Sequence, residues 1–254
     1  MSFTDAKKFS LEVALGNVPG YAKINKFGEA LDCNSGVPTD VWDGADGATS
    51  TDIWVAPTVA RLHVMASTSG NDAAAGSGMQ TMQVYGLTDW DTAEVSEVVS
   101  VGDTTSNSYV IIHRIEGLTF GAGGTNAGIV TATAQTDNTV TAAIQTGEGQ
   151  TLMAIYGVPS TQTLQMTFLD CLTLRASGAG VKVDGTLFVK KNADLSTAGF
   201  VNKHRFKASD AKDFERPFDP PKSFPGPCIV KVQVNASANT TITTSSFDAY
   251  VVDN

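Results

Sequence analysis

The chain has 254 residues, a net charge of −9 and a charged-residue content of 17%. A field of this sign repels phosphate backbones and anionic lipid, so we expect neither nucleic-acid nor membrane binding. The length is enough for a large core and permits a single all-β domain.

The first element in chain order is the segment 1–58, which we predict to be an irregular, extended N-terminal arm. It contains several Gly and Pro residues and little alternation, yet it carries aromatic residues, in which disordered tails are depleted. Because burying a large aromatic side chain is worth roughly 2–3 kcal/mol, we expect these residues to pack against something. The predicted contact residues are Tyr21, Phe27, Trp42 and Trp54. Two readings stay open: contact with a neighbouring subunit, or capping of one end of the chain's own β-structure.

Residues 59–254 form the second predicted unit, a β-sandwich body. Short β-branched runs with period-2 alternation are separated by Gly, Ser, Thr, Asn and Asp turns, as in "MQTMQVYGL" and "CIVKVQVNAS". We count about eleven or twelve strands of this kind, enough for two packed sheets. The predicted fold class is therefore all-β, an antiparallel β-sandwich of jelly-roll-like type.

One predicted strand, "QTLQMTFLDCLTL" (162–174), is unusually long. Strict alternation places one apolar set of side chains on a single face. That set is Leu164, Met166, Phe168, Leu172 and Leu174.

The stretch 207–227 contains five of the nine prolines, and because proline cannot donate to a strand ladder, it cannot be a central strand. Within it, "ASDAKDFER" (208–216) is the only run that we predict to be helical, so helix should account for less than about a tenth of the chain.

The best candidate metal ligands are Asp40, Asp43 and Asp46, because spaced carboxylates in a Gly-containing loop can bind Ca²⁺ through oxygen. The spacing does not match an EF-hand, and Asx turns in a solvated loop are the alternative. We therefore predict no metal site, with Ca²⁺ at this loop left open.

No other residue set indicates chemistry. The three histidines, His63, His113 and His204, lie on separate predicted strands, and His113 is expected at the surface or at an interface. The loop "GAGGTNAG" (121–128) lacks the Lys of a phosphate-binding loop. Three widely spaced cysteines fit neither a disulfide framework nor a zinc site, so reduced and partly buried thiols are expected. We predict no catalytic residues and no cofactor.

Several motifs are distinctive in their order: "VPGYAKINKFGEALDCNSGVPTDVWDGADG", "VYGLTDWDTAEVSEVVSVGDTT", "HRIEGLTFGAGGTNAGIVTA" and "GPCIVKVQVNASANTTITTSSFDAYVV". Together they cover most of the chain, and in this order they resemble a family of tailed-bacteriophage virion structural proteins. The resemblance implies a β-rich, non-enzymatic component of the head, neck or tail. It brings no catalytic residues with it.

This resemblance, together with an acidic chain that has no signal-peptide pattern, leads to three expectations. The first is a capsid decoration or cement protein, assembled in the host cytoplasm, that binds the major capsid protein as a homo-oligomer with a trimer as the expected form. The second is a neck or tail adaptor, or a fibre-attachment protein, that contacts other virion proteins. The third is a carbohydrate-binding β-domain, for which Trp90 in "GLTDWDT" is the only sequence feature.

Overall fold

The computed structural model describes residues 6–45, 52–175 and 180–254. Strands make up 58% and helix 3%, and the strand pairs are antiparallel, so the all-β, antiparallel sandwich class is confirmed. The jelly-roll connectivity stays a prediction. The elements are α1 (Ala6–Ala14), β1 (Tyr21–Cys33), β2 (Pro38–Asp40), a 3₁₀ turn (Asp43–Ala45), β3 (His63–Ser67), β4 (Met79–Leu87), β5 (Val95–Ser100), β6 (Ile111–Phe120), β7 (Val130–Ala134), β8 (Thr139–Ile144), β9 (Ile155–Val158), β10 (Gln162–Arg175), β11 (Lys182–Lys191), β12 (Phe200–Ser209), β13 (Phe214–Pro225), β14 (Cys228–Ala236) and β15 (Thr241–Asp253).

Two sheets built from both ends of the chain form the first sandwich. Sheet 1 has the strand order β1-β15-β10-β13, and sheet 2 has the order β12-β11-β14-β2, with β9 also paired to β14. Their facing sides share one apolar core, because alternate residues of these strands point inward. Fully buried examples are Leu164, Met166, Val230, Val232 and Phe247.

Two further sheets, formed by residues between β2 and β9, make a second unit that we call the inserted sandwich. Sheet 3 has the order β3-β7-β8 and sheet 4 the order β5-β4-β6. Their core is separate from the first and contains Met65, Met82, Ile112 and Ile144. Strands β1 and β2 thus belong to the first sandwich, β3 to β8 form the inserted sandwich, and β9 to β15 supply the rest of the first sandwich.

The described part of the predicted arm belongs to both sandwiches and does not stand apart from them. Strand β1 pairs with β15 along most of its length, and β2 pairs with β14. The segment looked irregular because β1 lies at the edge of sheet 1 and one of its two faces is exposed to solvent. The alternation of apolar and polar residues in its sequence is therefore weak. The boundary expected at residue 58 therefore corresponds to no structural boundary, and the break lies between two fused sandwiches.

A β-bulge in β10 overturns the expected single apolar face of this strand. Met166 pairs with Ala249 and Phe168 with Asp248, so Thr167 is the extra residue of the bulge. A one-residue shift exchanges the two faces of a strand. Beyond the bulge Leu172 and Leu174 consequently point outward, while Leu164 and Met166 before it stay buried.

The proline-rich stretch lies where proline chemistry requires it. Strand β13 pairs only with β10, at the edge of sheet 1, which agrees with its exclusion from a central position. The helix expected over 208–216 is wrong. Strand β12 ends at Ser209 and β13 begins at Phe214, because Phe214 stacks on Phe206 with ring centroids 4.4 Å apart and favours a tight connection.

The helix observed in the structure, α1, packs on the outer face of sheet 1. The ring of Phe9 lies 5.6 Å from the rings of both Tyr21 and Tyr250, in edge-on geometry. The side chain of Val13, one helical turn further on, is buried as well. Tertiary contact stabilises this helix, because nine residues are too few for an isolated helix in water.

Truncation separates the roles of these N-terminal segments. Deleting residues 1–16 removes α1 and should leave a protein that unfolds cooperatively. Deleting residues 1–50 removes β1 and β2, exposes the cores of both sheets of the first sandwich, and should abolish cooperative unfolding. Near-ultraviolet circular dichroism and thermal unfolding measure both outcomes, and a cooperative transition in the longer deletion would contradict the role given to β1 and β2.

Candidate interaction surfaces

The structure divides the four predicted contact aromatics into two pairs. Tyr21 and Phe27 lie on β1 and are 38% and 40% exposed. Trp42 and Trp54 are only 1% and 2% exposed and belong to the core of the inserted sandwich. The indole N–H of Trp54 donates to the carbonyl oxygen of Thr141 at 2.8 Å. These two tryptophans are therefore packing residues of this chain, and only Tyr21 and Phe27 are accessible to a neighbour.

An exposed apolar surface extends across three strands of sheet 1, beyond the end that α1 covers. We call it the apolar face. Leu174 pairs with Ile242 across β10 and β15, and Leu172 lies two residues before Leu174 on the same side. Leu174 is 57% exposed, and Leu172 is exposed as well. The members of the apolar face are Phe27, Leu172, Leu174 and Ile242.

A second apolar surface is the cleft between the two sandwiches, with a volume of about 820 Å³. The segment 53–60 forms one wall and the connection after β11 forms the other. Trp90, the residue singled out for carbohydrate binding, lies in this cleft and packs against the core of the inserted sandwich. Its indole is therefore partly covered and is not an open stacking platform.

The outer face of sheet 2 has a different, cationic character. Two adjoining cavities of about 580 Å³ and 610 Å³ share Asp184, Lys207 and Asn235 and form one groove, which we call the basic trough. Strand register explains the groove, because Lys207, Asp184 and Asn235 are paired across β12, β11 and β14. The cations that line it are Lys182, Arg205, Lys207 and Lys212.

A buried ion pair holds the junction of the sandwiches together. The ammonium group of Lys231 donates to one carboxylate oxygen of Asp40, and Gln233 donates to the other at 2.9 Å. The backbone N–H of Trp54 donates to Asp40 at 2.8 Å, which ties the start of the inserted sandwich to the same group. Burial raises the pKa of the Asp40 carboxyl, and the nearby ammonium of Lys231 opposes that rise.

A second buried polar group lies at the seam between β1 and β6. His113 is the extra residue of a β-bulge, since Arg114 pairs with Tyr85 and Ile112 with Gly86. The expected surface position of this histidine is therefore wrong. Its ring accepts or donates a hydrogen bond with Glu94 at 2.8 Å, and its carbonyl oxygen accepts one from Lys26 at 2.6 Å. Burial lowers the pKa of Lys26 to about 7, partly opposed by Glu94, and burial lowers the pKa of His113 as well.

Two of the three carboxylates proposed as Ca²⁺ ligands, Asp40 and Asp43, have internal partners. Asp40 is the acid of the ion pair described above. The Asp43 carboxylate accepts the backbone N–H of Leu152 at 3.0 Å. Asp46 lies outside the described residues. In the described ranges, no three His, Cys, Asp or Glu side chains come together in a group that could hold a metal ion.

The Gly-rich loop and its neighbours are anchored by one buried acid that sequence reasoning did not single out. One carboxylate oxygen of Asp72 accepts the backbone N–H groups of Met79 and Ala127, both at 2.8 Å. The other accepts the N–H of Gly128 at 2.9 Å. These hydrogen bonds hold the Gly-rich loop against the start of β4. The role of the loop is therefore structural, because its N–H groups donate to a carboxylate of the protein.

The remaining singled-out residues have structural surroundings. His204 is half-buried, with ring centroids 5.6 Å from Phe218 and 5.9 Å from Phe214. The three cysteines are buried, and none forms a disulfide within the described residues. Burial raises the pKa of Cys171 and Cys228 to about 12, which keeps both as unreactive thiols at neutral pH.

Sequence reasoning missed the outward leucines of β10 and the basic trough. Leu172 and Leu174 were assigned to the same face as Leu164, and no local signal marks the bulge that separates them. The trough did carry a signal, since Lys and Arg are concentrated after residue 180. Which of these cations share one face follows only from the pairing of β12, β11 and β14.

No protein-family model and no curated protein sequence matches the chain. Among solved structures, the infectious bursal disease virus Gx strain matches with a TM-score of 0.26 at 9% identity, over 92% of this chain and 72% of that chain. The Gt strain of the same virus matches with a TM-score of 0.25 at 11% identity, over 96% and 78%. At these scores the superpositions carry no functional argument. Within the described residues, no helix has the length and apolar character needed to cross a bilayer.

Breaking the buried ion pair of Lys231 and Asp40 should lower the stability of the protein strongly, and a second substitution should restore much of it. Lys231→Met should lower the free energy of unfolding by about 3–5 kcal/mol, because it leaves the Asp40 carboxyl buried without its counter-charge. Adding Asp40→Asn should restore much of that loss, since the amide oxygen can still accept from Trp54. Chemical denaturation of the two single variants and the double variant measures the coupling, and additive losses would contradict it.

The titration of His63 should make the stability of the protein depend on pH. Burial lowers the pKa of His63 from 6.5 to about 4, partly opposed by a backbone hydrogen bond at Arg61 and by the charge of Asp137. The unfolded chain binds this proton near pH 6.5 and the native chain only near pH 4. The free energy of unfolding should therefore fall by up to about 3 kcal/mol as the pH drops through that interval.

The matched variant is His63→Leu, which keeps the buried volume and removes the titrating ring. Its stability should fall less steeply between pH 6.5 and 4, with a remaining slope from His113, whose pKa is also lowered. Urea denaturation at several pH values tests this, and an unchanged slope in the variant would show that His63 is not the responsible group.

Proposed function

We propose that this chain is a non-enzymatic structural protein of a tailed-bacteriophage virion, and specifically a decoration protein that binds the major capsid protein on the outside of the head. The ordered motifs described above support the virion setting by their resemblance. The observation that carries the binding mode is the apolar face of sheet 1. In this role the protein is a homo-oligomer, a trimer in the proposed form, that assembles onto particles in the host cytoplasm.

The apolar face suits docking because its side chains protrude from a rigid sheet. Leu174 and Ile242 are directly paired, and Leu172 extends the same surface along β10. Covering a side chain of this kind is worth about 1.5–3 kcal/mol, so a few such contacts suffice for modest affinity. Phe27 adds an aromatic anchor, the residue class that dominates binding energy at interfaces.

Repetition converts modest contacts into firm attachment. Each copy of an oligomer offers the same face to a symmetric shell, so after the first contact the others form at high effective concentration. The helix α1 limits the apolar face at one end, because Phe9 packs against Tyr21 and Tyr250 there. The capsid protein is the proposed occupant, since the resemblance points to proteins that attach to virion surfaces.

Position in the virion separates this proposal from a neck or tail adaptor. A decoration protein follows the symmetry of the head and is present in hundreds of copies, whereas a neck ring contains about six to twelve. Quantitative mass spectrometry of purified particles gives this number directly. A copy number in the lower range would replace the decoration role with the adaptor role.

The contact itself is tested by substitution on the apolar face. Leu172→Ser/Leu174→Ser should weaken co-sedimentation with particles that lack the protein by at least about tenfold, because two leucines lose their burial. Thermal stability should change little, since both side chains are exposed in the free protein.

Leu118→Ser is the matched control. This leucine is 53% exposed on β6 of the inserted sandwich, close to the 57% of Leu174, and lies outside the apolar face. Particle binding should be unchanged in the control. Equal loss in both variants, or no loss in either, would contradict the assignment of the apolar face as the docking surface.

A further inference from the structure

The charges of this protein are divided unequally between its two sandwiches. Residues 52–151, which form the inserted sandwich, contain ten Asp and Glu against two Lys and Arg. Residues 152–254, which supply most of the first sandwich, contain nine Asp and Glu against eleven Lys and Arg. The net charge of −9 therefore originates almost entirely from one unit.

Both cations of the inserted sandwich already have internal contacts. Arg61 forms an ion pair with Asp137 at 2.9 Å. The guanidinium of Arg114 lies over the ring of Tyr85, 4.0 Å from its centroid. Arg114 also forms an ion pair with Glu116 at 3.9 Å. Other exposed acids of this unit, such as Asp103, form no ion pair within the described residues. This unit therefore presents a negative surface.

The basic trough is the complementary surface. Lys207 pairs with Asp184, which is the only acid among the described residues that line the trough. Lys182, Arg205 and Lys212 make no ion pair within the described residues. Between them, the trough has a polar floor that includes Thr186 and Gln233.

This clustering does not serve the stability of the free protein. The side chain of Lys207 is 82% exposed, and an exposed ion pair contributes little to folding. Like charges on adjacent strands repel one another, so unpaired cations on one sheet face are unfavourable until an anionic partner covers them. A partner with a matching density of carboxylates would remove that repulsion.

We propose that the basic trough of one copy binds the acidic inserted sandwich of a second copy, in a head-to-tail contact. The same chain supplies both surfaces, so each copy can give one contact and receive one. Such a heterologous contact closes into a ring or continues as a chain. The inference deepens the homo-oligomer of the proposed function, by naming the surfaces through which the copies meet. A nucleic acid is the less suitable occupant, because the acidic unit repels a phosphate backbone.

Self-association of the full chain, measured without particles by sedimentation velocity at low and high salt, tests the proposal. Surface charges act over about 30 Å at 0.01 M ionic strength and about 8 Å at 0.15 M. Association of the unaltered protein should therefore weaken by at least about tenfold across this range. A protein that stays monomeric at low salt, or whose association is independent of salt, would overturn the proposal.

Charge reversal then identifies the surface. Lys182→Glu/Arg205→Glu should weaken self-association at least about tenfold. The control Lys23→Glu/Arg216→Glu makes the same change in net charge on exposed residues of β1 and β13, outside the trough, and should change it less than about twofold. Equal loss in both would show a net-charge effect and overturn the proposal.

A mixing experiment identifies the partner. Asp103→Lys/Glu148→Lys alters two exposed acids of the inserted sandwich and should also prevent self-association. Mixed with the trough variant, it should form a dimer, because one copy keeps an intact trough and the other an intact acidic unit. If the mixture stays monomeric, or if the acid variant associates like the unaltered protein, the contact is not head-to-tail.

Two further readouts distinguish this contact from nucleic-acid binding and from particle binding. The first readout is binding of a 20-nucleotide oligothymidylate. If the Lys182→Glu/Arg205→Glu variant loses this binding but keeps self-association, the trough is a nucleic-acid site and the proposal is overturned. Particle binding by the Leu172→Ser/Leu174→Ser variant is measured separately. If this variant loses particle binding but keeps self-association, the result concerns the proposed function alone. If it keeps particle binding but loses self-association, the result concerns the head-to-tail contact alone.

Discussion

The carboxylate of Asp40 is the group on which the arrangement of the two sandwiches depends. It accepts hydrogen bonds from Lys231 and Gln233 on β14 and from the backbone of Trp54. One side chain thus joins the end of β2, the centre of sheet 2 and the buried Trp54, which lies close to the start of the inserted sandwich. Taking a carboxylate out of water is costly unless every partner is in place, so this site specifies one relative position of the three segments.

The cleft beside this junction follows from the same contact. The ammonium group of Lys231 donates to Asp40 and lies 4.4 Å from the ring centroid of Phe200, so a carboxylate and a cation–π contact both stabilise its charge. Apolar side chains can then line the space between the sandwiches without leaving a buried charge unpaired. The polar seam at Lys26 and His113 joins β1 to β6 in a comparable way, through a backbone carbonyl instead of an ion pair.

Two β-bulges determine which surfaces the protein presents. The extra residue at Thr167 turns Leu172 and Leu174 outward and creates the apolar face. The extra residue at His113 turns an imidazole inward, where Glu94 and Lys26 hold it. In both places one inserted residue exchanges inside for outside, because the side-chain period of a strand is two.

The amino-acid sequence by itself determined the fold class and excluded the proline-rich strand from a central position. These properties depend on local chemistry: alternation and turn residues produce antiparallel strands, and a missing N–H keeps proline out of a central position. Only the tertiary structure decided that Trp42 and Trp54 belong to an inner core, that residues 21–40 complete the sheets, and that Lys182 and Arg205 share a trough. Each of these facts depends on pairing between segments far apart in the chain, and strand register is set by such partners and not by the residues next to it.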